Sequence, residues 1–125
     1  MKIEKKQEFL AILLAKLGVF FASCDGEYDQ GEKKFIHNFV SALLTNQIIT
    51  DETRKIIEGI EDMHYSINDI IQESRQFSQI LDDDESESCL LAIKDYIKNL
   101  IEVDGVIHPA EAENFKLWKQ AVLNK

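Results

Sequence analysis

Two short acidic stretches share a spacing that suits either cation binding or helix capping. The first places Asp25 before a glycine, with Glu32 seven residues after the aspartate, and the second repeats this spacing with Asp104 and Glu111. Carboxylate oxygens bind divalent cations, whereas a glutamate in the first turn of a helix can accept a hydrogen bond from a backbone N–H at the helix start. The residue types therefore leave both roles open.

The two aspartates need a compensating positive charge or a hydrogen-bond donor. Each one lies at the expected C-terminal end of a helix, where the helix dipole disfavours an anionic side chain. A divalent cation would compensate this charge, and so would Lys33 or hydrogen bonds from backbone N–H groups of the loop. The glutamates have capping alternatives of their own, because Asp29 precedes Glu32 by three residues and His108 precedes Glu111 by three.

The acidic stretches are part of an internal repeat with an offset of 79 residues. Apolar residues that flank the first stretch fall on apolar residues that flank the second, and these pairs are Leu14 and Ile93, Phe21 and Leu100, Ala22 and Ile101, Ile36 and Phe115, and Phe39 and Trp118. Within the stretches, Tyr28 falls on Ile107, and each is expected to anchor its loop in the core. The repeat predicts two copies of a helix–loop–helix unit.

Apolar residues recur at helical spacing along the chain, which has one proline and five glycines. Helix-start signals, which are capping residues, acidic first turns or a proline, occur at Thr50, Ser66, Asp82 and Pro109. The pattern predicts an all-α bundle of about six helices, with a largely buried central helix near residues 3–23. We expect one domain over residues 1–125, with repeat units at about 10–45 and 88–123 and a helical linker at about 46–87.

The overall charge excludes several classes of partner. The chain has 14 Lys+Arg against 23 Asp+Glu, and the formal charge of −9 disfavours binding to nucleic acids or to anionic membrane surfaces. The partner we expect is another protein, with no insertion into a membrane. Cys24 and Cys89 are too few for a disulfide framework or a four-thiolate zinc site, so a reducing, cytoplasmic setting is predicted.

The paired motif Asp-Gly-x-apolar-x-x-x-Glu between helices resembles the TerB-like family of tellurite-resistance proteins, a domain type that certain DnaJ-like co-chaperones share. The resemblance covers about residues 10–45 and 88–123. It implies that acidic residues from both motifs converge on one metal-associated patch. The residues implicated are Asp25, Glu32, Asp104 and Glu111, with Asp29 and His108 as weaker additions.

The resemblance also implies a non-enzymatic interaction or sensor domain in a tellurite-resistance or stress-response setting. Its cofactor would be a divalent metal ion: calcium, magnesium, manganese or zinc. Two alternatives remain open, of which the first is a metal-free helical adaptor whose motif residues only cap helices. The second is a metal-dependent hydrolase, which would need an open pocket beside the carboxylates. No Gly-rich phosphate loop or nucleophile–base pairing in the chain favours the hydrolase.

Overall fold

The computed structural model describes residues 3–23, 30–46, 49–60, 65–102 and 107–123. Over these residues the chain forms six α-helices and no strand, which confirms the predicted all-α bundle. The helices are α1 (Ile3–Ser23), α2 (Gln30–Thr45), α3 (Asp51–Ile60), α4 (Ile67–Gln79), α5 (Asp83–Ile101) and α6 (Pro109–Val122). None of the helices in the described ranges is long and apolar enough to span a membrane.

The second half of the chain starts its helices at the residues that carry the predicted signals. Ser66 and Asp69 form a capping box at α4, in which the Ser66 hydroxyl accepts from the Asp69 N–H at 3.1 Å and the Asp69 carboxylate accepts from the Ser66 N–H at 3.0 Å. Asp82 caps α5 by accepting from the Glu85 N–H at 2.8 Å. Pro109 is the first residue of α6, where its missing N–H leaves no helical hydrogen bond unmade.

Helix α1 is the centre of the bundle and contacts all five other helices. One side of α1 contributes Leu13, Leu17 and Phe21 to the main core, which also contains buried residues of α2, α4, α5 and α6. Another side contributes Ala11, Ala15 and Val19 to a second apolar cluster, which Ile49 of the preceding turn and Ile57 and Ile60 of α3 complete. Burial on several sides explains why apolar residues surround this helix so widely.

The repeat recognised in the sequence is also a repeat of burial. Both members are buried in the pairs Leu14 and Ile93, Phe21 and Leu100, Ala22 and Ile101, and Ile36 and Phe115. In the fifth pair Trp118 is fully buried, whereas Phe39 is half-buried against the main core. The second helices of the two units, α2 and α6, begin 79 residues apart, which is the offset of the repeat.

Two polar contacts fix α4 between the units. The Trp118 indole N–H of α6 donates to the Ser74 hydroxyl at 3.0 Å, inside the core. At the preceding residue of α4, the Lys16 ammonium of α1 donates to the Glu73 carboxylate at 2.7 Å. Lys16, which interrupts the apolar run of α1, therefore has an ion-pair partner at the edge of the core.

One prediction about the second loop is wrong. Ile107 was expected to anchor that loop in the core, but its side chain is 43% exposed. The residue lies just before the start of α6, on the rim of an outward-facing groove rather than over the core. Its counterpart Tyr28 lies outside the described residues, as do Asp25, Asp29 and Asp104.

Candidate functional site

Glu111 is the predicted metal ligand whose surroundings the structure shows most fully. It is the third residue of α6, and its side chain is 1% exposed. One carboxylate oxygen, Oε1, accepts a hydrogen bond from the backbone N–H of His108 at 3.2 Å. This contact is the glutamate half of a capping box, so the capping role predicted for Glu111 is present.

A residue one turn from Glu111 on α6 contacts the end of α1. Phe115 lies one turn further along α6, on the same face as Glu111. Its ring makes an edge-on contact with the ring of Phe21, at a centroid distance of 6.4 Å. Phe21 is in the last turn of α1, the helix that precedes the first acidic stretch. Glu111 therefore lies on the face of α6 that meets the C-terminal end of α1.

Glu32 occupies the equivalent place in the first unit, as the third residue of α2. Both glutamates thus lie in the first turn of the second helix of their unit, as the spacing predicted. His108 precedes α6 as its N-cap residue and is half-buried, in agreement with a position at the helix start. The predicted ligands Asp25 and Asp104, and the weaker addition Asp29, lie outside the described residues.

Relationships to known proteins do not identify the chain. It has no significant match to a protein-family model, to a curated protein or to a solved structure. In the described ranges, no three His, Cys, Asp or Glu side chains lie close enough together to hold a metal ion. The predicted four-carboxylate set would require Asp25 and Asp104, which are not in those ranges. The TerB-like resemblance accordingly rests on the two motifs alone.

An open groove lies beside the second acidic stretch, between the end of α5 and the start of α6. It has a volume of about 320 Å³, and its lining combines apolar residues with Lys94, Lys98 and Lys119. Glu102 is the carboxylate among its lining residues, and Glu111 is not part of the lining. Among the described residues, the motif glutamate and this groove are therefore separate features.

The acidic motifs do not include these lysines, but the internal repeat contains a signal for them. With the offset of 79 residues, Ala15, Val19 and Val40 of the first unit fall on Lys94, Lys98 and Lys119. The first three line the space between α1, α2 and α3. A place where one unit has small or apolar residues and the other has three lysines marks a surface that the two units use differently.

A second charged cluster joins α1 to α4 and has a structural role. The Lys16 ammonium that pairs with Glu73 also lies 5.7 Å from the centroid of the Tyr65 ring. Burial raises the pKa of the Tyr65 hydroxyl, although the nearby Lys16 charge acts in the opposite direction. The phenol is therefore neutral at physiological pH and is not an activated base.

Proposed function

We propose that the chain is a TerB-like interaction domain in which one divalent cation joins the two helix–loop–helix units. The proposed ligands are Asp25, Glu32, Asp104 and Glu111, with Asp29 and His108 at the margin of the site. The observation that carries the proposal is the burial of Glu111 on the α6 face that meets the end of α1. A motif glutamate of the second unit thus lies on the helix face that packs near the end of α1, after which the first motif begins.

The physical case rests on the like charges that the four proposed carboxylate ligands would bring together. Removing an ionised carboxylate from water costs several kcal/mol unless hydrogen bonds, cationic side chains or a metal ion compensate the charge. A cation shared with aspartates of both loops would compensate the charge and stabilise the packing of α1 against α6. Carboxylate oxygens of this kind suit calcium, magnesium or manganese, and His108 would add a nitrogen ligand suited to zinc.

The function would be sensing or scaffolding rather than catalysis. Metal binding would stabilise the relative arrangement of the two units, and the outer faces of the helices would bind a protein partner. A cytoplasmic stress response, including tellurite resistance, is the setting that the motif resemblance suggests. The formal charge of −9 agrees with a protein partner rather than a nucleic acid.

Calorimetric titration of chelator-treated protein with calcium, magnesium, manganese and zinc tests the metal site. We expect saturable binding of one ion per chain, and loss of that binding in Asp25→Asn and in Asp104→Asn. Asp95→Asn is the matched control, because Asp95 is an exposed carboxylate of α5 outside both motifs. Binding that survives both motif substitutions, or no binding of any of the four ions, would contradict the proposal.

A metal-free adaptor is the second candidate, and the hydrogen bond from the His108 N–H to Glu111 favours it. Glu111→Gln separates the two functions, because a glutamine oxygen can still accept the capping hydrogen bond but carries no charge. An adaptor would melt at the same temperature with and without chelator, and so would its Glu111→Gln variant. A metal-binding domain would lose thermal stability on chelation, and Glu111→Gln would lose most of this dependence.

A further inference from the structure

An outward-facing groove runs along the two helices of the second unit. We call it the α5–α6 groove. At one end, the start of α5 and the end of α6 line a volume of about 470 Å³ with Asp83, Ser86, Glu87, Leu90, Leu91, Val122 and Leu123. At the other end lies the volume of about 320 Å³ described above, which the end of α5 and the start of α6 line. The two helices are therefore antiparallel, and the α5 residues that line the two volumes recur at helical spacing on one face.

In the first unit, the equivalent groove between α1 and α2 is covered by a helix. Ile57 of α3 packs there against Ala15 and Val19 of α1, and Val40 of α2 packs against the same cluster. The space that remains between α1, α2 and α3 has a volume of about 100 Å³. No described helix takes the place of α3 on the α5–α6 groove, whose lining is named above. The internal repeat thus identifies this groove as a position that a helix can cover.

The α5–α6 groove presents apolar side chains to its surroundings. Leu91, at the acidic end, is 48% exposed, and Ile107, at the basic end, is 43% exposed. The floor between them contains the buried side chains of Leu90, Phe115 and Val122. An apolar floor with exposed apolar residues at both ends is typical of a protein-binding surface.

The charges along the groove are divided between its two ends, and the basic end contains one carboxylate, Glu102, beside its three lysines. Asp83 and Glu87 lie at one end, and Lys94, Lys98 and Lys119 lie at the other. Within the part of the chain that the structure describes, none of these five residues forms an ion pair. Lys119 instead lies over the Phe115 ring, 4.4 Å from its centroid. A partner that matches this surface needs basic residues opposite Asp83 and Glu87 and acidic residues opposite the three lysines.

We propose that the α5–α6 groove binds a second copy of this chain, in an antiparallel dimer with a twofold axis. A twofold axis places the acidic end of each copy opposite the basic end of the other. Asp83 and Glu87 of one copy then face Lys94 and Lys98 of the other, and Leu91 of each copy covers apolar floor in its mate. Each chain carries a formal charge of −9, so close pairing of opposite charges is needed to offset the general repulsion.

A second copy fits the groove better than an unrelated acidic helix does. An acidic helix would match the lysines of the basic end but would repel Asp83 and Glu87 at the other end. The chain itself contains the complementary arrangement, with the correct polarity for a self-complementary interface. The proposal does not depend on the metal site, because every residue that carries it belongs to the groove.

Sedimentation equilibrium of the full chain, over a range of protein concentrations, tests the dimer. We expect a reversible monomer–dimer equilibrium for the natural sequence. In a dimer of Lys94→Glu/Lys98→Glu, the acidic end of one copy would face the new carboxylates of the other copy. In a dimer of Asp83→Lys/Glu87→Lys, the basic end of one copy would face the new lysines of the other. Each variant is expected to raise the dimer Kd about 100-fold or more.

Mixing the two charge-reversed variants gives the most specific result. In a mixed dimer both halves of the interface again pair opposite charges. The mixture is therefore expected to dimerise when neither variant does so alone. Lys34→Glu/Lys55→Glu is the control, because it changes the charge equally at exposed positions on α2 and α3 and should dimerise like the natural sequence. Leu91→Asp, at an exposed position, tests the apolar contact and should also prevent dimerisation. Circular dichroism verifies that each variant is folded.

Three outcomes would overturn the proposal. The first is a natural chain that stays monomeric at concentrations up to about 1 mM, the weak limit of specific association. The second is dimerisation of either charge-reversed variant with the affinity of the natural sequence. The third is failure of the mixture to dimerise when both variants are folded. Repeating the measurement in chelator separates this inference from the metal proposal, because the dimer is expected to persist even if metal binding is lost or never found.

Discussion

The two helix–loop–helix units differ in what covers them. In the first unit, α3 covers the groove between α1 and α2, and Ala15 and Val19 are buried beneath it. In the second unit, the equivalent α5–α6 groove faces outward, and Lys94 and Lys98 occupy the equivalent positions. Residues that face the shared core have kept their apolar character in both units, whereas residues that face the groove have not. A repeated fold thus constrains its interior and leaves its outer surface free to differ.

The two units also differ in how deeply they bury the side chain at one matched position. Trp118 is fully buried and hydrogen-bonded to Ser74, which ties α6 to α4. Its counterpart Phe39 is half-buried, and its ring lies 5.1 Å from the ring of Tyr96. The second unit therefore contributes more to the core through this position than the first unit does.

The largest effect is expected from truncation at this matched pair. Trp118→Ala removes a fully buried side chain and its hydrogen bond to Ser74, and should lower the free energy of unfolding by about 3–5 kcal/mol. Phe39→Ala, at the half-buried position, should lower it by about 1–2 kcal/mol. Urea denaturation followed by circular dichroism measures both, since Trp118 is the one tryptophan and cannot serve as a fluorescent probe in its own variant. Equal losses would show that the two units contribute equally here.

The next largest expected difference in unfolding free energy is between a substitution at the covered groove and one at the uncovered groove. Ile57→Ala opens a cavity between α3 and α1 and should cost about 2–4 kcal/mol of unfolding free energy. Lys98→Ala, on the uncovered groove, should change the stability of the monomer by less than about 0.5 kcal/mol. Thermal unfolding at low protein concentration compares the two without a contribution from dimerisation. A large loss in Lys98→Ala would indicate that the lysine supports the fold itself.

Gly18 of α1 and Gly59 of α3 compare a closely packed helix position with an open one. A Cβ at Gly18 would lie 2.8 Å from both Ile36 Cγ1 and the Tyr96 hydroxyl oxygen, whereas a Cβ at Gly59 meets no atom within 4 Å. We therefore expect Gly18→Ala to destabilise the protein by about 1–3 kcal/mol, through crowding of α1 against α2 and α5. Gly59→Ala should stabilise it by about 0.5–1 kcal/mol, because alanine favours an open helical position. Chemical denaturation gives both values, and the opposite signs make the pair its own control.

The smallest expected effect is a loss of folding stability at acidic pH. The backbone N–H of Ser66 lowers the pKa of Asp69, and the backbone N–H of Glu85 lowers the pKa of Asp82. A carboxylate with a lowered pKa in the folded state contributes stability above its unfolded pKa of about 3.9, and loses it as the pH falls through the folded value. The urea concentration at the unfolding midpoint should therefore decrease as the pH is lowered below about 4. The decrease should be less steep in Asp69→Asn/Asp82→Asn. Asp95→Asn should keep the steeper profile, and a profile that the capping substitutions leave unchanged would contradict this assignment.

Part of the candidate site could be predicted from the sequence. Pro109 and the spacing to Glu111 placed that glutamate in the first turn of a helix, and the structure confirms this position. The burial of Glu111 could not be predicted in the same way, because it depends on which face of α6 meets α1. The contact between Phe21 and Phe115 shows that choice in the structure.

The sequence by itself determined the helices, their starting residues and the repeat of apolar positions. These features depend on local hydrogen bonds, such as the cap at Ser66, and on a periodicity that any helix imposes on its buried face. Only the tertiary structure decided that α3 covers one groove and not the other, and that Ile107 and Leu91 face outward. The physical reason is that an apolar residue favours burial against any complementary surface, so its identity does not specify which helix, or which copy of the chain, will cover it.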